Sequence, residues 1–373
     1  MAKRGQGEGS ISQRKDGRYM AQLSVGDGKR LTFYGETREE ARDLLVTAQA
    51  NKLKGTLVTG PRQTVTQFLE SWLSDVAGPG VRPGTALRYQ EIVELHVVPT
   101  LGKLTLSKLT PQHLSATYKL LGETLSAATV GHVHRVLHRA LETAVRWGYV
   151  GRNPCDLVDP PKARRQEMHA LNTEQVKTLL AAAQGDELEA LYVLALTTGM
   201  RQGELLGLKW ADVDLAAGTL QVQRSIGRVP GKGWVESEPK TAKGRRSIVL
   251  IPLAVNALKR HRAGQLQARL LAGLEWEDRD LVFCNAFGRP IEEPNLRARS
   301  FKPLLKKAGL PDIRFHDLRH SAASLLFALG VHPKIVQEQL GHSAISITLD
   351  TYSHAVPTLQ AEAARKLDAL LGG

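Results

Sequence analysis

Two stretches with proline and glycine interrupt an otherwise regular pattern, and they limit what this chain can fold into. The second of them is also rich in basic residues. They lie at 55–64 and 151–165. Proline cannot continue the interior of a helix and glycine favours turns, so such stretches indicate extended linkers between folded parts. The 373 residues are therefore expected to form three domains. These are 1–60, 64–152 and 168–373.

The first segment predicts a small antiparallel sheet followed by one helix. Three β-like runs, at 9–13, 18–25 and 29–34, are separated by Asp-Gly turns, which are a strong signal for hairpins. A capping box at 37–40 predicts that a helix begins at Thr37. If that helix covers one face of the sheet, the other face either enters a groove of DNA or simply faces solvent. That face is expected to carry some of the candidate DNA contacts, which are Arg14, Lys15, Arg18, Tyr19, Lys29 and Arg30.

The middle segment predicts a helical domain. Apolar residues recur at helical spacing from Val65 to Leu73, and further helices are expected at 85–97, 110–121 and 126–147. The last of these carries three histidines and three arginines, which we interpret as a solvated or phosphate-facing surface. No metal site is predicted there.

The third segment, from Leu171 onward, predicts mostly helices with a small sheet. Its β-like runs lie at 220–225, 233–238 and 246–250. The expected fold is therefore multidomain and mainly α. It has an N-terminal three-stranded sheet plus helix, a helical middle domain and a mixed α+β C-terminal domain.

The charge of the chain indicates the class of its partner. The sequence has 50 Lys+Arg against 37 Asp+Glu, which gives a net charge of +13. The charge is positive in each of the three segments of the chain. Such a surplus favours nucleic acid or an anionic membrane. No stretch reaches the roughly 18 uninterrupted apolar residues of a membrane span. The two cysteines, Cys155 and Cys284, match no metal or disulfide pattern. We expect a soluble cytoplasmic protein.

Several common enzyme motifs are missing from the sequence. It contains no GxxxxGK[ST] loop, no GxGxxG after a strand, no HExxH and no GxSxG. This argues against ATP hydrolysis, dinucleotide redox chemistry, zinc proteolysis and α/β-hydrolase chemistry. Metal-dependent nucleases leave no local pattern, so the motifs do not decide against them.

Arg201, in TGMRQGE, is expected at the first turn of a helix, where backbone N–H groups add to its attraction for an anion. Glu204 lies three residues later and can orient it, although such a pair is also a common surface ion pair. His316 and Arg319 lie one turn apart in FHDLRH and can face one point. In isolation this spacing also fits an ordinary exposed helix face.

Two further residues occupy polar settings near the C-terminus. His342 follows a glycine in LGHS, and Tyr352 lies in DTYSH. Tyr352 fits either a reactive role or a packed position with a hydrogen-bonded hydroxyl.

Taken together and in this order, these motifs resemble the tyrosine recombinase (phage-type integrase) family. The stretches TGMRQGELLGLKW, PKTAKGRR, HDLRHSAAS and LGHSAISITLDTYSH are similar to the family's boxes at the family's spacing. The upstream layout is similar to that of lambda-type integrases. The resemblance implies an arm-site DNA-binding domain at 1–60, a core-binding domain at 64–152 and a catalytic domain of tyrosine recombinase type at 168–373.

The resemblance also implies the catalytic residues, which are Arg201, Lys240, His316, Arg319, His342 and Tyr352. Tyr352 would be the nucleophile, and His316 is the candidate base. Lys240 would be the hairpin lysine that protonates the departing 5′ oxygen, and Lys243 competes with it for this assignment. Arg245 is a further candidate DNA contact. No cofactor and no metal ion is implied.

The implied function is site-specific recombination that integrates or excises a phage or other mobile element. The implied partners are double-stranded DNA at core and arm sites, three further copies of the chain in a tetramer, and a DNA-bending or directionality factor. Two alternatives remain open, a type IB topoisomerase-like enzyme and a non-catalytic DNA-binding regulator. A predicted C-terminal helix at 359–371 either docks on a neighbouring protomer or packs on its own domain.

Overall fold

The computed structural model describes residues 9–26, 28–163, 169–238, 244–346, 349, 364–365 and 368–371. Lys240, Lys243 and Tyr352 lie outside the described residues, as does most of the predicted C-terminal helix. The chain separates into two compact units, Met1–Arg165 and Gln166–Gly373. Among the described helices, none combines the length and the apolar character needed to cross a membrane.

The first unit begins with the predicted sheet, in which three antiparallel strands follow one another in chain order. The strands are β1 (Ser10–Gln13), β2 (Tyr19–Gly26) and β3 (Lys29–Gly35). Gly17, in the first turn, has φ +87°, a conformation that favours glycine. Ala21 of β2 lies between Ile11 and Phe33, so apolar residues collect on one face. The predicted three-stranded sheet is confirmed.

Helix α1 (Arg38–Leu53) covers that apolar face. It begins at Thr37 because the Thr37 hydroxyl accepts a hydrogen bond from the Glu40 backbone N–H, while the Glu40 carboxylate accepts one from the Thr37 backbone N–H. Its buried residues recur at helical spacing and form one apolar cluster with β2. They are Ala41, Leu45 and Ala48. The predicted helix is confirmed, and the sheet keeps one open face.

Helices form the rest of the first unit. They are α2 (Val65–Trp72), α3 (Gly78–Gly80), α4 (Pro83–Ile92), α5 (Val98–Leu101), α6 (Pro111–Gly122) and α7 (Ala127–Arg146). Leu73–Ala77 and Val93–Val97 form π-helical turns, and Leu106–Lys108 and Pro154–Leu157 form 3₁₀ turns. The stretch predicted as one α-helix at 85–97 is therefore divided. Phe68, Trp72 and Leu137 are fully buried in a second apolar cluster.

The second unit combines eight α-helices with two small antiparallel sheets over its described residues. The helices are α8 (Thr173–Ala183), α9 (Glu189–Thr198), α10 (Gln202–Leu206), α11 (Pro252–Ala272), α12 (Glu293–Asn295), α13 (Lys302–Lys307), α14 (Asp317–Ala328) and α15 (Pro333–Leu340). The remaining helical turns are Trp210–Asp212, Gly273–Glu275 and Leu296–Phe301. The strands are β4 (Val213–Asp214), β5 (Thr219–Val222), β6 (Ser225–Val229), β7 (Gly233–Ser237) and β8 (Arg246–Val249).

The strands pair in the orders β4-β5-β8 and β6-β7. The three predicted β-like runs overlap β5, β7 and β8, whereas β4 and β6 were not predicted as separate strands. Helix α9 is the central element, since every residue from Ala190 to Leu196 is buried and the helix contacts α11 and α14. Gly199 and Met200, which follow α9, are consequently buried as well, and Arg201 lies where the chain reaches the surface of this unit.

Candidate active site

Arg201 lies where the buried helix α9 ends and the short helix α10 begins. Gly199 ends α9 because it adopts the left-handed φ of +63°. Arg201 is the N-cap of α10, and its backbone N–H donates to Glu204 Oε2 at 3.0 Å. Its Nη1 donates to Oε1 of the same carboxylate at 2.8 Å. The contact expected from their spacing is therefore present. The side chain is still 42% exposed, so an anion in solvent can reach the guanidinium.

Glu204 is itself buried, with 4% of its side chain exposed, and it contacts a second cation. Arg246 of β8 donates from Nη2 to Glu204 Oε2 at 2.8 Å. Burial alone would raise the pKa of Glu204, but the hydrogen bonds and charges of Arg246 and Arg201 outweigh it and lower that pKa. Glu204 is thus a carboxylate anion shared between two arginines.

Arg319 lies in the first turn of α14 and is 3% exposed. Its Nη1 donates to the carbonyl oxygen of Gly199 at 2.6 Å, and its Nη2 donates to that of Leu340 at 2.7 Å. Gly199 follows α9 and Leu340 is the last residue of α15. The cation therefore lies at the carboxyl ends of two helices, where the helix dipole favours positive charge.

His316 is the N-cap residue of α14, three positions before Arg319. Its ring packs edge-on against the ring of His320, with the centroids 5.2 Å apart. Partial burial, followed by the charge of Arg319, lowers the pKa of His316. Burial and the neighbouring His316 lower the pKa of His320 to about 4. Both rings are consequently neutral at pH 7.

His342 follows Gly341, whose φ of +68° ends α15. The buried Gln337 holds this turn, because its Nε2 donates to the His342 carbonyl at 3.0 Å and its own carbonyl accepts from the His342 N–H at 3.1 Å. The Gly341 carbonyl accepts from Arg201 Nη2 at 3.3 Å. Burial, with the charges of Arg319 and Arg201, lowers the pKa of His342 to about 4. The turn 340–342 therefore contacts both arginines.

These histidines predict an acid-sensitive second unit. Because the pKa of His320 and that of His342 lie near 4, below the ordinary 6.5, the unfolded chain binds more protons than the folded chain between these values. We expect Tm to fall as pH drops from about 6.5 to about 4, and His342→Gln to flatten this dependence. Circular dichroism melting at stepped pH measures it, with the exposed His169→Gln as control. Equal slopes for all three proteins would contradict the prediction.

The structure brings together four of the six predicted catalytic residues. Arg201 and Arg319 both contact the turn 340–342, His342 belongs to it, and His316 precedes Arg319 on α14. The other two predicted catalytic residues, Lys240 and Tyr352, lie outside the described residues. Arg245, a predicted DNA contact, is exposed and its Nη2 donates to Glu238 Oε1 at 2.5 Å.

The predicted DNA contacts of the N-terminal sheet do not share one face. Arg30 pairs with Ser24 on the open face, and the guanidinium of Arg14 lies 5.2 Å from the ring centre of Tyr34, which is on the same face. Arg18 belongs to the first turn, where it donates to Asp16 at 3.0 Å.

Lys15 and Lys29 are exposed, at the first turn and at the start of β3. Tyr19 differs, because it alternates in register with Ala21 and Leu23 and packs against the apolar cluster beneath α1. Its side chain therefore lies on the opposite side of the sheet from Arg30.

One cluster with metal-ligating groups was not predicted. His138 and Glu142 lie one turn apart on α7, and their ligand atoms and those of Asp156 are within 4.8 Å of one another. His138 Nε2 is 2.9 Å from Asp156 Oδ1, and Glu142 accepts from Asn153 at 3.3 Å. The four-residue spacing of His138 and Glu142 was the available sequence signal. The contacts describe a hydrogen-bonded network that joins α7 to the 3₁₀ turn after it.

Comparison with known proteins identifies the family. The model of the phage integrase family matches residues 169–358, and that of the phage integrase N-terminal SAM-like domain matches residues 64–121. A tyrosine recombinase XerC-like protein of Caldanaerobacter subterraneus is 32% identical over 94% of this chain and 96% of the relative. An integrase of Streptomyces ambofaciens is 31% identical over 96% of each chain. The chain is thus a tyrosine recombinase, and it belongs to the phage integrase family of site-specific integrases of mobile elements.

Solved structures show the same fold. The Tn1549 transposon integrase, in complex with transposon right end DNA, matches with a TM-score of 0.70 at 24% identity, over 83% of this chain and 100% of that chain. A lambda integrase tetramer bound to a Holliday junction matches with a TM-score of 0.58 at 18% identity, over 94% and 96%.

Proposed function

We propose that this protein cuts and rejoins DNA at specific sites through a covalent bond between Tyr352 and a 3′ phosphate. The observation that carries the proposal is that the guanidinium groups of Arg201 and Arg319 both donate hydrogen bonds to the turn 340–342, which contains His342. A phosphodiester is an anion, and its oxygens gain further charge in the transition state. Guanidinium groups can bind two such oxygens at once, and fixed donors of this kind stabilise the developing charge.

In the proposed first step the Tyr352 oxygen attacks the phosphorus, and the bond from phosphorus to the 5′ oxygen breaks. Only about a thousandth of an ordinary tyrosine is ionised at neutral pH, so a base is required. His316 takes the phenol proton, since its lowered pKa keeps it neutral and able to accept. Lys240 gives a proton to the departing 5′ oxygen. The phosphotyrosyl bond keeps the energy of the broken bond. The 5′ hydroxyl of a partner strand can therefore attack the phosphorus, which breaks the bond to Tyr352 and joins the exchanged strands.

We propose that the three domains predicted from the sequence have separate roles. Residues 1–60 bind arm sites, 64–152 bind the core site and 168–373 carry catalysis, all on double-stranded DNA in the cytoplasm. Four protomers form the working unit, aided by a DNA-bending or directionality factor. The match to the lambda integrase tetramer on a Holliday junction supports the tetramer.

A suicide substrate tests the proposal. The substrate is nicked DNA with the attachment site of the element, so that cleavage traps the covalent intermediate. We expect the protein to form a detergent-resistant adduct, and to exchange strands when an intact partner site is added. Adduct formation on the nicked DNA, with relaxation of a separate supercoiled plasmid that carries the site but no strand exchange, would favour a topoisomerase-like enzyme. Binding without any adduct would favour a DNA-binding regulator.

The open face of the N-terminal sheet gives a separate prediction about affinity. We expect the double variant Arg14→Gln, Arg30→Gln to bind arm-type DNA more weakly and to reduce the salt dependence, by about one unit of slope for each phosphate that is no longer neutralised. Fluorescence anisotropy at several salt concentrations measures both. Arg38→Gln is the control, because Arg38 is an exposed residue on α1, on the other side of the sheet. Equal affinities for the double variant and the control would show that this face does not bind arm-type DNA.

A further inference from the structure

We propose that Arg246 is a positioning residue of the recombination site. It holds Arg201, through Glu204, and the turn that carries His342 in one fixed arrangement. The inference rests on the proposed function, since this arrangement matters only if both residues act on a phosphate.

Three different nitrogens of Arg246 each donate to a different part of the second unit. Nη2 donates to Glu204 Oε2 at 2.8 Å, Nε to the Gln339 carbonyl at 2.7 Å and Nη1 to the Gly244 carbonyl at 3.1 Å. The side chain is 6% exposed, so these bonds form away from solvent. One planar group thereby connects the start of β8, the helix α10 and the end of α15. A lysine, with a single nitrogen, cannot reproduce this geometry.

Arg246 and Arg201 also approach the same turn. A methyl group placed on Gly341 would come within 2.9 Å of Arg246 Nη1, so the guanidinium packs directly against the backbone before His342. Arg201 contacts the same residue through its bond to the Gly341 carbonyl. Displacement of Arg246 would therefore shift both the carboxylate that orients Arg201 and the turn that presents His342.

An alternative explanation is an ordinary buried ion pair that stabilises the fold without affecting the chemistry. Glu204 argues for the positioning role, because its Oε1 accepts from Arg201 Nη1 while its Oε2 accepts from both Arg246 and the Arg201 backbone N–H. Without Arg246, this carboxylate would be free to rotate toward Arg201 alone. A purely stabilising pair would change the amount of folded protein but not the cleavage rate of each folded molecule.

The test compares Arg246→Met with Arg260→Met in the full-length protein. Arg260 is a matched control because it is 56% exposed on α11 and pairs with Glu189 at 2.5 Å, so its loss removes the same charge. We expect single-turnover cleavage of the suicide substrate by Arg246→Met to fall about 10- to 100-fold, as misplaced catalytic groups do. We expect the DNA affinity of Arg246→Met to remain close to that of the unmodified protein. The cleavage rate of Arg260→Met should also remain close to that of the unmodified protein.

A second substrate separates positioning from loss of folded protein. A neutral methylphosphonate at the cleavage site lacks the charge that Arg201 neutralises, so misplacement of Arg201 matters less on it. The deficit of Arg246→Met relative to the unmodified protein should shrink on this substrate. An equal deficit on both substrates would overturn the proposal. If Arg246→Met does not fold, Arg246→Lys replaces it, because lysine keeps a cation for Glu204, and the same shrinking deficit is expected.

The outcomes also distinguish this inference from the proposed function. If the unmodified protein forms no adduct, the proposed function is wrong. If it forms the adduct and Arg246→Met forms it at the same rate, only the positioning role is wrong.

Discussion

Replacing Tyr352 by phenylalanine is expected to abolish the covalent protein–DNA adduct while leaving DNA binding intact. The substitution removes a single oxygen, which is the atom proposed to attack the phosphorus. Loss of a nucleophile lowers turnover by about 10⁴-fold or more, so no adduct should be detected. The measurement is a denaturing gel of the suicide substrate, together with a gel shift for non-covalent binding.

Tyr192→Phe is the matched control for this experiment. Tyr192 lies in α9 of the same unit, and its hydroxyl is 2.6 Å from Ser300 Oγ. Burial raises the pKa of Tyr192 to about 12, which keeps its hydroxyl protonated. We expect this variant to lose about 1 kcal/mol of stability for the missing hydrogen bond and to form the adduct normally. An adduct that persists in Tyr352→Phe would show that another residue is the nucleophile.

Arg319→Met is expected to lower both cleavage and stability. Loss of one fixed donor to the transition state lowers the rate by about 10²–10³-fold. The carbonyl oxygens of Gly199 and Leu340 would also lose their buried donor, and unfolding should become easier by about 1–3 kcal/mol. Single-turnover cleavage and denaturant unfolding measure the two effects separately.

Arg201→Met provides the comparison. Its guanidinium is partly exposed, and Glu204 keeps its bond to Arg246 when it is lost. We therefore expect a similar loss of cleavage with a smaller loss of stability. If Arg319→Met were as stable as the unmodified protein, the two carbonyl contacts would not support the fold as described. If it cleaved normally, Arg319 would have no part in the reaction.

Local signals in the sequence were sufficient for much of the fold. The capping box at Thr37 and the two Asp-Gly turns predict the N-terminal sheet and helix because each acts over a few residues. The π-helical turns at Leu73–Ala77 and Val93–Val97 were not predictable in this way. They insert residues into a helix without changing its apolar pattern enough to be recognised.

For the candidate site too, short motifs were informative, whereas contacts between residues distant in the sequence could not be predicted. Arg201, His316, Arg319 and His342 were predicted from motifs, but nothing local indicated that two carbonyls at the ends of different helices hold Arg319. Arg246 was overlooked because arginine is normally exposed. Its position two residues before the buried Ile248 on β8 was a usable signal, since residues two apart in a strand lie on the same face of the sheet. The same two-residue alternation separates Tyr19 from the other candidate DNA contacts, since its register with Ala21 puts it on the helix-facing side.

The burial of Arg319 between two helix ends also has a consequence for the energetics of the reaction. The guanidinium is oriented by main-chain carbonyls that exist as soon as the second unit has folded, before any DNA is bound. In the proposed cleavage reaction, reorienting this cation is therefore not part of the barrier. Solvent around a phosphate must reorganise as charge develops, whereas this group has no such motion to make.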